Sequence, residues 1–291
     1  MSATDYLRAT LAGLCLAMAG CAPFAKMPDP GTSALPPAKM SSDSVVLEVA
    51  FAHQMASDDK SYAAIWQQAD EQHFSTELRE KLFANGLRVG VFNQSLPAEL
   101  RTLLDGKEEW LEQRAEDVST TDTETPRTQR RMQCRHGRRA KVVVSKTYDS
   151  LSLLTYEHGQ VHGRLVEKAQ CLFGLKPYLE GDGRVRLDLT PEVEHGELKS
   201  QWVGQEGSLL QRIGRERLVL DELRFQATLA PGQVLLVSTT PDIKGLGERC
   251  FVETAGGTNQ RTLLVVRVAQ TQHDDLFAPD KLAAPLATPV E

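Results

Sequence analysis

Residues 184–196 read RVRLDLTPEVEHG, and the first half of this stretch decides the fold class. Charged and apolar residues alternate there in the order Arg184, Val185, Arg186, Leu187, Asp188 and Leu189. A period of two residues is typical of a β-strand with one buried face and one face in water. Gly181-Asp182-Gly183, directly before it, is a tight-turn signal. The stretch therefore predicts a strand that is entered from a hairpin.

The same kind of sequence continues through the second half of the chain. Strand-like runs separated by Gly, Pro and Asp are KVVVSKTY (141–148), LSLLTY (151–156), VHGRLVEKAQCLFGLKPYLE (161–180), RLVLDELRFQATL (217–229), QVLLVSTT (233–240) and TLLVVRVAQTQ (262–272). Strands at this spacing predict a mainly antiparallel β domain over 132–277, built as a sandwich or a partial barrel. Because no βαβ pattern occurs, a parallel nucleotide-binding sheet is not expected.

The first half predicts a small α+β domain over 44–104. Its elements are expected in the order strand 45–53, helix about 60–70, helix 76–84, strand 87–93 and a short helix 97–104. Ser57, Asp58 and Asp59 offer N-cap oxygens for the first helix, and Ser75 offers one for the second. Gly86 follows the second helix, where a left-handed residue is favoured. The fold class is therefore α+β, with a strand-helix-helix-strand domain ahead of the β domain.

The two ends are expected to lie outside the fold. Residues 9–20 form an apolar run with the length of a secretory signal core, which is too short to span a bilayer. Met18-Ala19-Gly20-Cys21 resembles a lipobox, with Met18 where Leu is usual, so Cys21 is the expected lipidation site. An ordinary signal peptide cut nearby, or a misassigned start, is the alternative. Residues 1–20 are then a signal, 21–43 a Pro-rich tether, and 278–291 a tail too poor in bulky residues to fold.

Two charge blocks mark the connector expected at 105–131. Eight acidic residues lie between Asp105 and Glu124, and seven basic residues lie between Arg127 and Lys141. Such blocks are usually solvated faces that neutralise each other. The alternative is an anion-binding surface for lipid head groups or an acidic envelope polymer. Its residues would be Arg130, Arg131, Arg135, Arg138, Arg139 and Lys141.

A second candidate contact is the glycine-flanked strand around Gly86, Arg88 and Gly90. A glycine inside a strand permits a bulge or the close approach of another backbone, so this strand could be a docking edge for a partner. A helix cap at Gly86 and a packing contact at Gly90 account for the same residues. Both interpretations stay open on the sequence.

Candidate catalytic groups are few. Glu192, Glu194 and His195 form one acid/base candidate, with Asp274-Asp275 as a further pair, but an exposed, charged strand edge explains the first cluster. His158 and His162 lie four residues apart in a predicted strand, where strand rise separates them by about 13 Å, too far for one zinc ion. Phosphate-loop and Gly-x-Ser-x-Gly motifs are absent, and Gly245-Leu246-Gly247 is expected to be a turn. No metal, cofactor or enzymatic activity is expected.

The cysteines permit one disulfide without requiring it. Cys134, Cys171 and Cys250 remain once Cys15 leaves with the signal and Cys21 takes lipid. Three widely spaced cysteines form neither a disulfide framework nor a metal motif. Buried, small and apolar cysteines are expected, with one bridge and a leftover thiol as the alternative.

Three stretches of the β half resemble the bacterial secretin domain in type II and III secretion. They are VRLDLTPEVEHG (185–196), LAPGQVLLVSTT (229–240) and RTLLVVRVAQT (261–271), in the order found in that family. Ser238-Thr239 stands where secretins have paired glycines, and the ring-building repeats are absent. The resemblance implies a β architecture and an envelope setting. The whole chain also resembles uncharacterised bacterial lipoproteins that contain ADEQHF (69–74), ANGLRVGV (84–91) and TPEVEHG (190–196).

These patterns lead to a functional expectation. A formal net charge of −6 over 291 residues does not indicate a nucleic-acid binder. Ala22 stands where Asp would hold a lipoprotein at the inner membrane, which implies the periplasmic face of the outer membrane. We expect a lipid-anchored, non-enzymatic envelope protein that scaffolds or binds an envelope protein. The alternatives are an envelope hydrolase or sugar-binding module, and a secretin-like ring subunit; the oligomeric state stays open.

Overall fold

The computed structural model describes residues 43–93, 95–105, 129–205 and 208–271, without the side chains of 129, 201–205, 208–212 and 255. These residues belong to one compact unit, Met40–Glu291. The predicted signal, Cys21, most of the tether, the connector from 106 to 128, and the tail with Asp274-Asp275 lie outside the described residues.

Strands and helices of the described residues follow the order expected of an α+β chain. Those of the first part are β1 (Ser44–Met55), α1 (Asp59–Gln67), α2 (Thr76–Ala84), β2 (Leu87–Phe92) and α3 (Ala98–Asp105). The later part contains β3 (Gln129–Arg135), β4 (Ala140–Glu157), β5 (Gln160–Leu179), β6 (Val185–Gln205), β7 (Ser208–Val219), a 3-10 turn (Asp221–Leu223), β8 (Phe225–Leu229), β9 (Val234–Thr239), α4 (Gly245–Phe251), β10 (Val252–Ala255) and β11 (Thr258–Thr271).

The strands form two antiparallel sheets. Sheet A has the order β2-β9-β11-β1-β3, with β10 beside β11. Sheet B has the order β4-β5-β6-β7, with β8 beside the first part of β6. The predicted α+β class and antiparallel pairing are confirmed.

The two sheets pack face to face around the main apolar core, so the β part is a sandwich. Leu47 and Val266 of sheet A and Phe173 and Leu187 of sheet B belong to this core. On its other face, sheet A packs against α1 and α3 through a second core that includes Trp66. The layers are therefore helices, sheet A and sheet B, each burying the apolar face that its residue pattern supplies.

Local capping explains where the helices begin. Asp58 accepts a hydrogen bond from the Ser61 N–H at 3.2 Å, and Ser75 accepts one from the Leu78 N–H at 3.3 Å. These are two of the caps that the sequence predicted. The predicted turn at Gly245-Leu246-Gly247 is wrong, because it is the first part of α4, whose Leu246 and Phe251 are buried. Two glycines weaken helix propensity, and burial of these side chains outweighs that weakness.

The segments predicted as successive domains share one sheet. β1 lies between β3 and β11, and β2 pairs with β9. Strand β1 is nearly buried on both faces, so it needs sheet neighbours on both sides and cover above and below. The boundary suggested at 105–131 therefore does not separate two cores within the described residues. Whether the segments pack together, which the sequence left open, is settled by this pairing.

Candidate interaction surface

The outward face of the β4–β5 hairpin carries an apolar surface, which we call the hairpin patch. It consists of Leu154, Tyr156, Val161 and Leu165, which are 47%, 43%, 65% and 70% exposed. Tyr156 lies directly opposite Val161, and Leu154 lies opposite Gly163. Residues at alternate positions of paired strands share a face, so the four side chains are neighbours. Clustered exposure of this kind marks contact sites more often than a single exposed leucine does.

The other face of the hairpin is anchored to the body of the protein. Leu151, Leu153 and Thr155 are buried there. The Asn85 side chain accepts a hydrogen bond from the Tyr156 N–H at 2.7 Å and donates one to the Tyr156 carbonyl at 2.9 Å. These contacts fix which face turns outward. The hairpin patch therefore lies on a strand pair whose other face is fixed to the body of the protein.

Towards the β4–β5 turn, β5 and β6 separate. Their pairing ends at Gln170 and Glu194, and within the described residues β5 pairs with β4 alone from 160 to 169. Lys168 has a positive φ of 49°, and Gly196 has one of 75°, which bends both strands at the point of separation. Lys168 forms an ion pair with Glu197 there. The distal edge of β5, beside the hairpin patch, therefore has no strand partner among the described residues.

The β6–β7 hairpin on the other side of this separation also exposes apolar side chains. Leu198 and Ile213 are 66% and 68% exposed. The sequence did not single out these residues or the hairpin patch, because a strand-like alternation does not tell which face is buried. One signal was present: Ser150 and Ser152 stand on the same face as Leu154, which is unusual for a core-facing row.

The six residues of the predicted cationic surface do not form one block of unpaired charge. Arg131 pairs with Glu48 at 3.1 Å, Arg139 pairs with Glu192, and Lys141 pairs with Glu194 at 2.8 Å. Arg130 donates to the Lys141 carbonyl at 3.0 Å. Arg135 and Arg138 are exposed at the β3–β4 turn and have no acidic group within 4.0 Å in the part of the chain that is described. Neutralised side chains thus interrupt the positive charge.

The predicted docking edge is covered by the chain itself. A Cβ on Gly90 would lie 2.9 Å from that of Ala69, so Gly90 is a packing glycine. Arg88 stacks on Trp66 at 4.4 Å and pairs with Glu71 at 2.5 Å. Gly86 has φ +77° after α2, as a helix cap requires. Gly90 is thus a packing residue and Gly86 a helix cap, which are the alternatives to a docking edge.

Two of the acid/base candidates, Glu192 and Glu194, serve as ion-pair partners on the outer face of sheet B. Glu192 is only 4% exposed and lies between Arg139 and Arg217, the latter at 3.5 Å. Gly174 leaves room for this pair, since a Cβ there would lie 2.2 Å from Glu192 Oε1. An open cleft of about 740 Å³ lies elsewhere, between the start of α2 and the 3-10 turn, and neither Glu192, Glu194 nor His195 lines it. The structure does not gather the proposed hydrolase residues in that cleft.

His158 and His162 are not arranged as ligands of one metal ion. His158 is in the β4–β5 turn with φ 51°, while His162 lies within β5 opposite Thr155. No group of three or more His, Cys, Asp or Glu side chains arranged for a metal ion occurs among the described residues.

The three cysteines among the described residues, Cys134, Cys171 and Cys250, are buried free thiols. Burial raises the pKa of the Cys134 thiol, which lies on β3. Burial also raises the pKa of the Cys250 thiol well above its ordinary value, and the neighbouring Cys171 thiol adds to the shift. Cys171 and Cys250 are far apart in sequence, and nothing in their spacing predicted that they would meet.

The described helices include none that is long and apolar enough to cross a membrane. No protein-family model matches the chain, and no curated protein matches its sequence. Among solved structures, the ETEC pilotin–secretin AspS–GspD complex is a weak neighbour, at 12% identity and a TM-score of 0.17. The match covers 85% of this chain and 56% of that one, so the chain spans little more than half of the neighbour. A TM-score this low does not establish a shared fold, and the secretin resemblance stays a prediction.

Proposed function

We propose that this chain is a lipid-anchored, non-enzymatic cell-envelope protein that binds another envelope protein through the hairpin patch. The exposed row formed by Leu154, Tyr156, Val161 and Leu165 carries the proposal. These side chains stand on a face whose other positions are Ser150, Ser152, Gly163 and Glu167. Apolar area of this kind gains free energy when a partner removes it from water.

The partner that fits this surface is a protein with an extended apolar strand. From 160 to 169, the edge of β5 offers backbone groups that β6 does not use. An added strand would pair with this edge through main-chain hydrogen bonds and place its own apolar side chains beside Val161 and Leu165. Backbone pairing favours a polypeptide over a lipid surface, because lipid cannot supply alternating donors and acceptors.

The lipobox-like quartet and the sequence after it supply the anchoring part of the proposal. A diacylated Cys21 would hold the chain to the membrane, and Ala22 favours the outer membrane's periplasmic face. Residues 21–42 span at most about 70–80 Å when fully extended. The folded part would therefore begin within that distance of the membrane surface.

Two measurements test the proposal. Intact mass spectrometry of membrane-extracted protein is expected to show a chain that begins at an acylated Cys21, and a Cys21→Ser variant should lose the acyl mass. Site-specific photo-crosslinking in cells, from a probe placed at Val161 or Leu165, is expected to give one defined protein adduct. A probe at Phe83, which is also exposed and apolar, is the matched control.

The outcomes separate the possible occupants. A Val161 or Leu165 adduct that disappears with Leu154→Asp, together with no Phe83 adduct, supports a protein partner at the hairpin patch. Adducts only between copies of this chain, in a large sedimenting assembly, would instead favour the secretin-like ring subunit. Equal yields from all three probe positions, or lipid adducts alone, would contradict strand binding.

A further inference from the structure

Cys171 and Cys250 belong to the same buried core cluster, between sheet B and α4. Cys171 is on the inward face of β5 and is fully buried, while Cys250 is 4% exposed on α4. The Cys171 thiol lies close enough to Cys250 to contribute to the raised pKa of the Cys250 thiol. Phe173 and Phe251, placed two residues and one residue further along these elements, have ring centroids 6.0 Å apart. The two elements are therefore packed against each other at the level of the thiols.

Further contacts hold α4 against sheet B near Cys171 and Cys250. The Tyr148 hydroxyl donates to the Arg249 carbonyl at 3.0 Å, and Tyr148 pairs across the sheet with Ala169. The Ser145 hydroxyl accepts the Cys171 N–H at 2.9 Å. Cα atoms of α4 and β5 come within 8 Å of each other. Disulfides need Cα separations of roughly 4.4–6.8 Å, so elements that approach this closely can be bridged after a local adjustment.

We propose that Cys171 and Cys250 form a structural disulfide when the chain folds in an oxidising compartment. One thiolate attacks a sulfur of a disulfide oxidant, giving a mixed disulfide and releasing one thiol of the oxidant. The second thiolate then attacks the protein sulfur of that mixed disulfide and releases the other thiol. Two protein thiols and one oxidant disulfide thus become one protein disulfide and two oxidant thiols.

The bond forms before the core closes. In the folded, reduced protein both thiols are buried, and burial raises the pKa of the Cys250 thiol, so little reactive thiolate is present. An external oxidant reaches the cysteines only while α4 is still detached from β5. The bridge then ties sheet B to the segment that follows β9, across a loop of about 80 residues.

Cys134 is the thiol left over. It lies on β3 in sheet A, where it pairs with Val45 of β1. Arg130 is the charged residue near it. The inference uses the proposed function in one respect, because an envelope location supplies the oxidising environment that the cytoplasm lacks. The pairing itself is a property of the fold and can be tested without cells.

The experiment uses the full chain with Cys15→Ser and Cys21→Ser, which leaves the three core cysteines. The protein is reduced in denaturant, refolded with a mixture of reduced and oxidised glutathione, denatured again without reductant, alkylated and digested. The expected product has the Cys171 and Cys250 peptides joined, at a mass lower by about 2 Da, and only Cys134 alkylated. A Cys134→Ser variant should give the same bridge, and Cys171→Ser should leave Cys250 alkylated.

Two results would overturn the pairing. One is alkylation of Cys171 and Cys250 to the same extent as Cys134 in protein that has regained its β-sheet circular dichroism. The other is a bridge or a glutathione adduct that involves Cys134 while Cys171 and Cys250 stay separate. A bridge that forms in the tube and is absent from protein taken from its host supports the pairing and counts against the proposed envelope location.

Discussion

The contact between Gly86 and Gly247 gives the sharpest prediction about stability. A Cβ on Gly247, in α4, would lie 1.7 Å from the Gly86 carbonyl oxygen, about half of an ordinary van der Waals separation. A Cβ on Gly86 would lie 1.8 Å from the Lys244 carbonyl oxygen. Backbone hydrogen bonds reinforce the contact, with the Gly247 N–H donating to the Asn85 carbonyl at 3.0 Å. Neither atom can swing aside as the end of a flexible side chain would.

The structure allows the two costs of an added methyl group to be measured separately. Gly232 has φ +85° and open space around it, so Gly232→Ala tests backbone strain alone, at about 1–2 kcal/mol. Gly247→Ala tests the steric clash alone, at about 3 kcal/mol before the gain of about 1 kcal/mol from better helix propensity. Gly86→Ala combines strain and clash, so we expect a loss of about 4–5 kcal/mol. Gly181→Ala, with open space and no positive φ, is the neutral control.

Urea denaturation followed by circular dichroism measures these differences as shifts of the midpoint at constant slope. The expected order of stability is Gly181→Ala, then Gly232→Ala and Gly247→Ala, then Gly86→Ala. If Gly247→Ala and Gly181→Ala unfolded at the same urea concentration, α4 would not pack against the Gly86 backbone as the structure shows. Equal losses for Gly86→Ala and Gly232→Ala would leave strain as the sole cost at Gly86.

Three further predictions concern charge, the exposed surface and pH. Glu192→Gln should lower the free energy of unfolding by about 1–3 kcal/mol, because it leaves Arg139 and Arg217 without their carboxylate. Glu197→Gln, at an exposed ion pair, should leave the free energy of unfolding unchanged. Urea titration of both variants checks the difference, and similar losses would contradict the buried network. Leu165→Lys should leave the unfolding free energy within about 0.5 kcal/mol of the parent while abolishing partner crosslinking, and a large loss in the isolated protein would show that Leu165 is not exposed. Because the pKa of Cys250 is raised on folding, the unfolded state of the reduced protein loses that proton first as pH rises, so stability should fall above about pH 8.5 by about 1.4 kcal/mol per pH unit for this group. Cys250→Ala should flatten this slope in denaturation measured from pH 7 to 10, and an unchanged slope would assign the fall to other groups.

Local sequence signals determined much of the secondary structure. The alternation at 184–189 predicts part of β6, and Asp58 and Ser75 are helix caps in the structure as they are in the sequence. Such signals act within a few residues, through backbone dihedrals and side-chain hydrogen bonds to nearby N–H groups. They can therefore be interpreted without knowing how the rest of the chain folds. The antiparallel, α+β class followed from the same local information.

Tertiary structure alone decided which distant segments meet and which faces are buried. β1 lies between β3 and β11, and the residues of β1 do not tell which strands flank it, because that depends on competing strand pairings across the whole chain. Alternation showed that β4 has two unlike faces, but only packing against α4 and Asn85 turned Leu154 and Tyr156 outward. Cys171 and Cys250 share one core cluster because β5 and α4 pack together, and no rule of cysteine spacing in the sequence encodes that packing.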